Sequence, residues 1–519
     1  MITFFIRRFL TSALVVLIST FVMYLLVAAS IDPLQDLRTS RSPNKAQLIQ
    51  NRIAALKLDQ PVIERYFTWL KGVAGCAVGN CNMGRDWGIN ETVSSELKGA
   101  IATTLQLVTA ATVLAIIVGV VVGLVSALRQ YTGFDYSITF LSFLLYSLPV
   151  FWVAVLAKTF LAIDLNNFLA DPHLSVETIA VVAVVAGAIV SAAMGGSGRR
   201  RLQVFGIVAA VVVVFAVYIN VSDWFTTPSR GNVVNLLLIA VSAVGWAYAV
   251  TLLSTGLRNR RALGASLTVA ALGAVLYFPM LAFWDAVFNA TNWALVLGMG
   301  ILAIAVGVLV GRLWGGPDWR ASSRTAALTA IPVSMMLFVD RALQSWPAYV
   351  GNTAVNGRPF ATTDSSTPNI EGSFWIHLLD TFGHLLLPTI SLILISFASY
   401  TRYSRASMLE VLNQDYIRTA RSKGLTERTV IMRHAFRNAL MPLASIVPVD
   451  IITLVGGAII TETVFNWSGM GHLFVDSLVR NQQDPVMAYI LIVAILAVVA
   501  NFVADLIYAV LDPRIRVAA

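Results

Sequence analysis

The residues able to do chemistry are few and scattered. Cys76 and Cys81 stand five positions apart, bracketed by Gly75, Gly79 and Asn80. In an oxidising exterior compartment such a pair closes a small loop; two free thiols in a turn are the alternative. Five histidines are spread over 519 residues, and His377 and His384, seven apart, would stand about 10 Å apart along a helix, too far for one metal ion. There is no HExxH, no nucleophile elbow and no clustered carboxylate pair. Gly195-Gly196-Ser197-Gly198 lacks the preceding strand and the Lys-Ser/Thr pair of a phosphate loop. No catalytic residue, metal site or cofactor is therefore expected on this chain. What remains is a dense basic run between 402 and 440, and single polar groups in apolar surroundings: Lys158, Asp450, Glu462, and Asn501 with Asp505.

The elements that position these groups follow from composition. Only 12% of residues are charged, about half the share of a soluble domain, so the chain lacks the polar surface to cover itself in water. An all-α polytopic membrane protein is expected. Twelve stretches approach the roughly 20 apolar residues of a spanning helix: 9–29, 102–128, 136–163, 178–194, 202–221, 233–255, 265–284, 293–310, 325–342, 382–402, 443–463 and 487–511. The first is too long for the core of a cleaved signal and is read as a retained span.

The net charge of +9 would form a basic patch in a nucleic-acid binder. Here the basic residues sit between apolar segments, so no nucleic acid is expected. With the N-terminus inside, inner segments hold Arg7 and Arg8, Arg129, Arg199 to Arg201, Arg258 with Arg260 and Arg261, Arg312 with Arg320 and Arg324, eight basic residues at 402–440, and Arg514 with Arg516. The short outer loops hold only Arg230. That asymmetry predicts both termini on the cytoplasmic side.

The segment 415–442, DYIRTARSKGLTERTVIMRHAFRNALMP, is the most informative. Asp415 is placed to cap a short helix to Lys423, with Arg421 and Lys423 at the negative end of its dipole. Gly424 supplies a left-handed stop, and Thr426 caps a second helix in which Met432, Phe436 and Leu440 share a face beside Arg433 and Arg437. Two helices around a glycine corner make either an amphipathic loop on anionic lipid or a docking knob for a cytoplasmic partner.

Here the sequence resembles a family. YIRTARSKGL at 416–425 with HAFRNALMP at 434–442 is similar to the signature of membrane subunits of dipeptide/oligopeptide ABC importers. FIRRFL at 5, LDQPVIERYFTWL at 58, SLPVFWVAVL at 147, HLLLPTISL at 384, ETVFNWSGMGHLFVDSL at 462 and DLIYAVLDPR at 505 resemble further family blocks, in order. The resemblance implies a type I ABC importer transmembrane domain with about six core spans. It implies an ATPase-coupling element at Arg418, Thr419, Ala420, Arg421, Lys423, Gly424 and Leu425. It also implies a second permease subunit, two ATPase domains that carry the ATP and Mg, an extracytoplasmic substrate-binding protein, and a bacterial inner membrane. Short peptides are the implied cargo; haem, glutathione or nickel chelates are handled by related importers.

Two departures stand out. Ser30-Ile31-Asp32-Pro33 replaces the family's Pro-Gly-Asp-Pro, whereas Thr419-Ala420-Arg421, in place of the general importer's Glu-Ala-Ala, is usual for the peptide branch. About 200 residues have no counterpart, which divides the chain into an N-terminal core (1–165), an inserted block of about six spans (166–379) and a C-terminal core (380–519). Asp450, near Pro448, is a candidate for the translocation pathway, and Glu462 for the outer gate. Asn501 and Asp505, one turn apart, read as glue between helices, and Lys158 can snorkel to the outer surface. A stand-alone secondary transporter is the competing reading, but the two halves of the chain show no repeat.

Overall fold

The computed structural model describes residues 2–194, 196–222 and 233–511; Arg230, Arg514 and Arg516 lie outside these. The first helix, α1 (Ile2–Ser30), leads into a small domain of residues 31–92. That domain consists mainly of α2 (Lys45–Leu56), α3 (Val62–Ala74) and a hairpin of β1 (Arg85–Asp86) with β2 (Glu91–Thr92). Three helices follow: α4 (Val93–Leu128), α5 (Gly133–Ser147) and α6 (Val150–Ala170). The central block holds α7 (Val176–Met194), α8 (Gly198–Val221), α9 (Val233–Ser254), α10 (Arg260–Val275), α11 (Tyr277–Ala286), α12 (Trp293–Gly315) and α13 (Trp319–Leu343). The last part contains α14 (Phe374–Leu412), α15 (Asp415–Ser422), α16 (residues 427–439), α17 (Met441–Val464), α18 (Met470–Val479) and α19 (Gln483–Leu511).

Among the described residues, eight helices are long and apolar enough to cross a membrane, or nine if a bent pair counts as one span. One of these runs, 293–343, turns back at Gly315–Asp318, and its halves α12 and α13 lie side by side. Two expected spans are not single straight helices. The stretch 136–163 is broken between α5 and α6, where Leu148 is extended (φ −82°, ψ 130°) because Pro149 disfavours a helical residue before it. The stretch 265–284 bends by 51° between α10 and α11. Pro279 lacks an N–H to bond the carbonyl of Val275, and its ring crowds that carbonyl.

The long helices α4 and α14 pack along each other and form the centre of the molecule. Gly123 permits the approach: a methyl group there would run into the Thr401 carbonyl and the Ser404 hydroxyl. Helices α17 and α19 pack together, and α1 lies against α19. Tyr24 of α1, Tyr66 and Trp69 of α3, and Met487 of α19 share one core that fixes the small domain to the helix ends.

The central block has two parts. Helices α7 and α8 form a hairpin whose first member leans on α5. Helices α9, α10, α12 and α13 form a four-helix cluster around Ala243, Ala265, Val269, Ala326 and Ala330. Small residues dominate that core, as expected where close backbone approach rather than hydrophobic transfer holds helices together. The cluster joins the core of the molecule through Trp284, Tyr349 and Trp375, all buried.

Candidate functional site

Residues 415–439 form a knob on one end of the helix bundle. Its floor is apolar: Ile417 and Ala420 of α15 and Val430, Ala435 and Ala439 of α16 pack on Ala127 of α4 and Met408 of α14. Ser407 donates to the Ala439 carbonyl at 2.8 Å, and Asn438 donates to the Tyr416 hydroxyl at 2.8 Å. The corner is local chemistry. Gly424 has φ +74°, a conformation glycine adopts without a side-chain clash. The Thr426 hydroxyl accepts from the Thr429 N–H, capping α16.

Three sequence expectations change here. Asp415 is not the cap of α15; Gln414 holds that position, and Asp415 stands in the first turn, 3.6 Å from Arg418. The fully buried residues of α16 are Val430, Ala435 and Ala439; of the expected apolar face, Phe436 and Leu440 pack partly buried on a second core while Met432 is exposed. A π-helical stretch, Val430–Ala435, accounts for this, because its wider turn shifts the face from the four-residue spacing. Finally, Ala420 is buried in the floor, so of the seven expected coupling residues it does not reach the surface.

The other six are exposed: Arg418, Thr419, Arg421, Lys423, Gly424 and Leu425. Arg421 bridges the corner to Glu427 with two hydrogen bonds, of 3.2 and 2.7 Å, and its guanidinium holds the Glu427 carboxyl below its ordinary range. The sequence reading passed over this pair, though opposite charges six apart across a glycine corner were its signal. Arg428 was also passed over. It donates at 2.8 Å to the Leu253 carbonyl, at the end of α9 in the central block. Beneath the knob, Asp135 is buried and accepts two bonds from Arg405, of 2.7 and 2.9 Å. The Arg405 hydrogen bonds, with another from Ser126, hold its carboxyl down to about 2.

The opposite end organises its charges by burial. Glu462, at the end of α17, is fully buried; it accepts from Thr104 of α4 at 2.6 Å and from the Gly471 and His472 N–H groups at 2.7 and 3.0 Å. It therefore holds the first turn of α18. Lys158 donates to the Val464 carbonyl at 3.3 Å, capping the same helix end. Asp380 and His384 are also buried, and the Thr367 hydroxyl meets both, at 2.5 and 3.1 Å. Asp450 is half-buried in α17 and neighbours Tyr400 of α14. Asn501 is exposed on α19; the side chain of Asp505 lies outside the described residues. Cys76 and Cys81 are joined in a disulfide.

Comparison with known proteins bears on the whole arrangement. The model of the family described as the inner membrane component of binding-protein-dependent transport systems matches residues 322–517. That of its N-terminal part matches residues 1–108. The oligopeptide transport system permease protein OppB of Mycobacterium tuberculosis is 37% identical over 226 residues, covering 43% of this chain and 69% of the relative. The chain belongs to this family. Other relatives agree: the dipeptide permease protein DppB of Escherichia coli is 37% identical over 229 residues, 42% of this chain and 68% of its own length. The oligopeptide permease protein AppB of Bacillus subtilis is 44% identical over 163 residues, 31% and 50%.

As a family member, the chain is a multi-span membrane permease with the transmembrane fold of type I ABC importers. The match from residue 322 contains the knob, and it begins in α13, within the block expected as an insertion.

Proposed function

We propose that this chain is the membrane-spanning permease subunit of an ATP-driven importer for short peptides, worked through the knob at 415–439. The observation that carries the reading is the knob's construction. Its shape is fixed by an apolar floor against α4 and α14, while its charged groups are left exposed for another protein. ATPase subunits that grip Arg418, Lys423 and Leu425 would move the two longest helices directly. The peptide cargo is supported by the relatives' names, since OppB, AppB and DppB are peptide permease proteins.

In this reading a second permease subunit completes the pathway. Two ATPase domains bind ATP and Mg, and an extracytoplasmic binding protein delivers the cargo. The knob and both termini face the cytoplasm of a bacterial inner membrane. Basic Arg258, Arg260 and Arg261 follow α9 at the same end as the knob, as that orientation requires. The part of block 166–379 that precedes the family match at residue 322 is an addition between the core parts. Asp450 borders the pathway, and Glu462 shapes the outer gate by holding α18. Asn501 and Asp505 serve contacts with the second permease.

Affinity purification from native membranes tests this. The wild-type chain should bring down ATPase subunits and a second permease. Arg418→Glu with Lys423→Glu should lose the ATPases while keeping the permease and membrane insertion. Solute uptake by the purified chain alone, driven by an ion gradient, would overturn the reading.

A further inference from the structure

Between the small domain and the start of α19 lies a cavity of about 150 Å³. It is lined by Tyr24, Arg65, Trp69, Asn82, Gln483 and Asp484, with Lys57 and Thr68 exposed at its rim. Arg65, Trp69 and Gln483 are 9%, 8% and 6% exposed. Each carries a nitrogen without a hydrogen-bond partner: Nε of Arg65, Nε1 of Trp69 and Nε2 of Gln483. Buried donors without acceptors are costly and uncommon. Three lining one cavity mark a place for a group rich in acceptor oxygens. The positive charge of Arg65 selects an anion, and its planar fork suits a carboxylate.

The same cavity holds a negative group. Asp484 accepts from the Arg85 N–H at 3.1 Å through one oxygen, and it makes no ion pair with Arg65 among the described residues. Opposite charges thus line one cavity without meeting, as if spaced for a molecule that carries both. Tyr66 and Trp69 of α3 both pack on Tyr24 of α1, and the Cys76–Cys81 disulfide closes the turn that follows.

We propose that this cavity binds a small zwitterion the size of a free amino acid. Its carboxylate is held by Arg65, Trp69 and Gln483, and its ammonium group faces Asp484. The site is separate from the knob and from Asp450. The proposal does not rest on the transport reading, because its test measures binding by the purified chain.

The experiment is equilibrium dialysis of radiolabelled alanine against the full chain in lipid nanodiscs, with acetate and methylammonium as competitors. Alanine should bind, and Arg65→Gln and Asp484→Asn should each weaken it about tenfold or more, the loss of one charge-assisted contact. Neither competitor should displace it at equal concentration. Trp69→Phe, which keeps a ring and removes the N–H, serves as a gentler variant; an unshifted midpoint of thermal unfolding certifies each variant as folded. Absence of alanine binding, undiminished binding by all the folded variants, or displacement by acetate alone at equal concentration would overturn the proposal.

Discussion

At the knob, charged groups meet in the open: the Arg421 and Glu427 side chains are 43% and 57% exposed, and Arg418 and Asp415 more so. At the opposite end, Glu462 is sealed from solvent and Asp380 and His384 nearly so. Exposed ion pairs contribute about 0–1 kcal/mol, so they do not set the shape of the knob; its apolar floor does. Buried polar groups are different, because removing one partner strands the other. The lesson is a division of labour. One end spends its charges on holding itself together, and the other keeps them available.

The central block follows the same division. At the opposite end it meets the core through a packed junction: Trp284 stands edge-on to Trp375 at 5.3 Å, and Arg341 lies 5.0 Å above Trp375 while pairing with Asp285 at 3.0 Å. At the knob end Arg428 reaches the Leu253 carbonyl. The block is thus held by packed aromatic rings at one end and reaches the knob through a polar contact at the other.

The largest expected effect is therefore Trp375→Ala. Removing a fully buried tryptophan costs about 3–5 kcal/mol, seen as a lower midpoint of thermal unfolding in detergent. The ATPase capture of the folded fraction should persist. If the knob fails together with the junction, the two ends are not independent. A smaller effect, about 1–3 kcal/mol, is expected for Glu462→Gln, which turns an acceptor toward a donor within the Thr104, Gly471 and His472 cluster. Hydrogen exchange at α18 should rise while exchange at α15 is unchanged.

Asp135 is the exception at the knob end, a buried carboxylate, and it sharpens the comparison through pH. Its folded value, about 2, lies below the ordinary 3.8 because Arg405 binds the charged form. A depressed acid stabilises fully above its unfolded value, and that contribution is lost as pH falls through the folded one. Stability should thus decline between about pH 4 and 2 in the wild type. Asp135→Asn should be less stable at neutral pH and flatter across that window, as read by unfolding midpoints at each pH.

What was legible in sequence was local. Gly424 and Thr426 announce the corner because a left-handed glycine and a capping threonine act within a few residues. The apolar stretches announce helices, but Pro149 and Pro279 were read through because hydropathy continues across them. The π-helical turn at Val430–Ala435 leaves no mark in spacing, so the four-residue pattern marks Phe436 and Leu440 but not Val430 and Ala435 of the floor. Glu462 was assigned to the gate without its structural task, since its partner Thr104 is 358 residues away in the chain. Ala420 sat inside a recognised motif, yet only the fold tells its inward direction from the outward one of Arg421.

The smallest effect on stability should come from the exposed pair at the corner of the knob. Arg421 and Glu427 close the corner but remain exposed, so swapping them, Arg421→Glu with Glu427→Arg, keeps an ion pair and should change the unfolding midpoint little. It also turns the outer face of α15 from positive to negative while leaving the floor of Ile417, Ala420 and Val430 untouched. ATPase capture should then fall sharply, and the single variant Glu427→Gln, which frees Arg421 without reversing it, should retain capture. Equal loss in the swap and in Glu427→Gln would mean that the clamp, rather than the charge it displays, is what the partner requires. Retained capture in both would leave recognition to Arg418, Lys423 and Leu425.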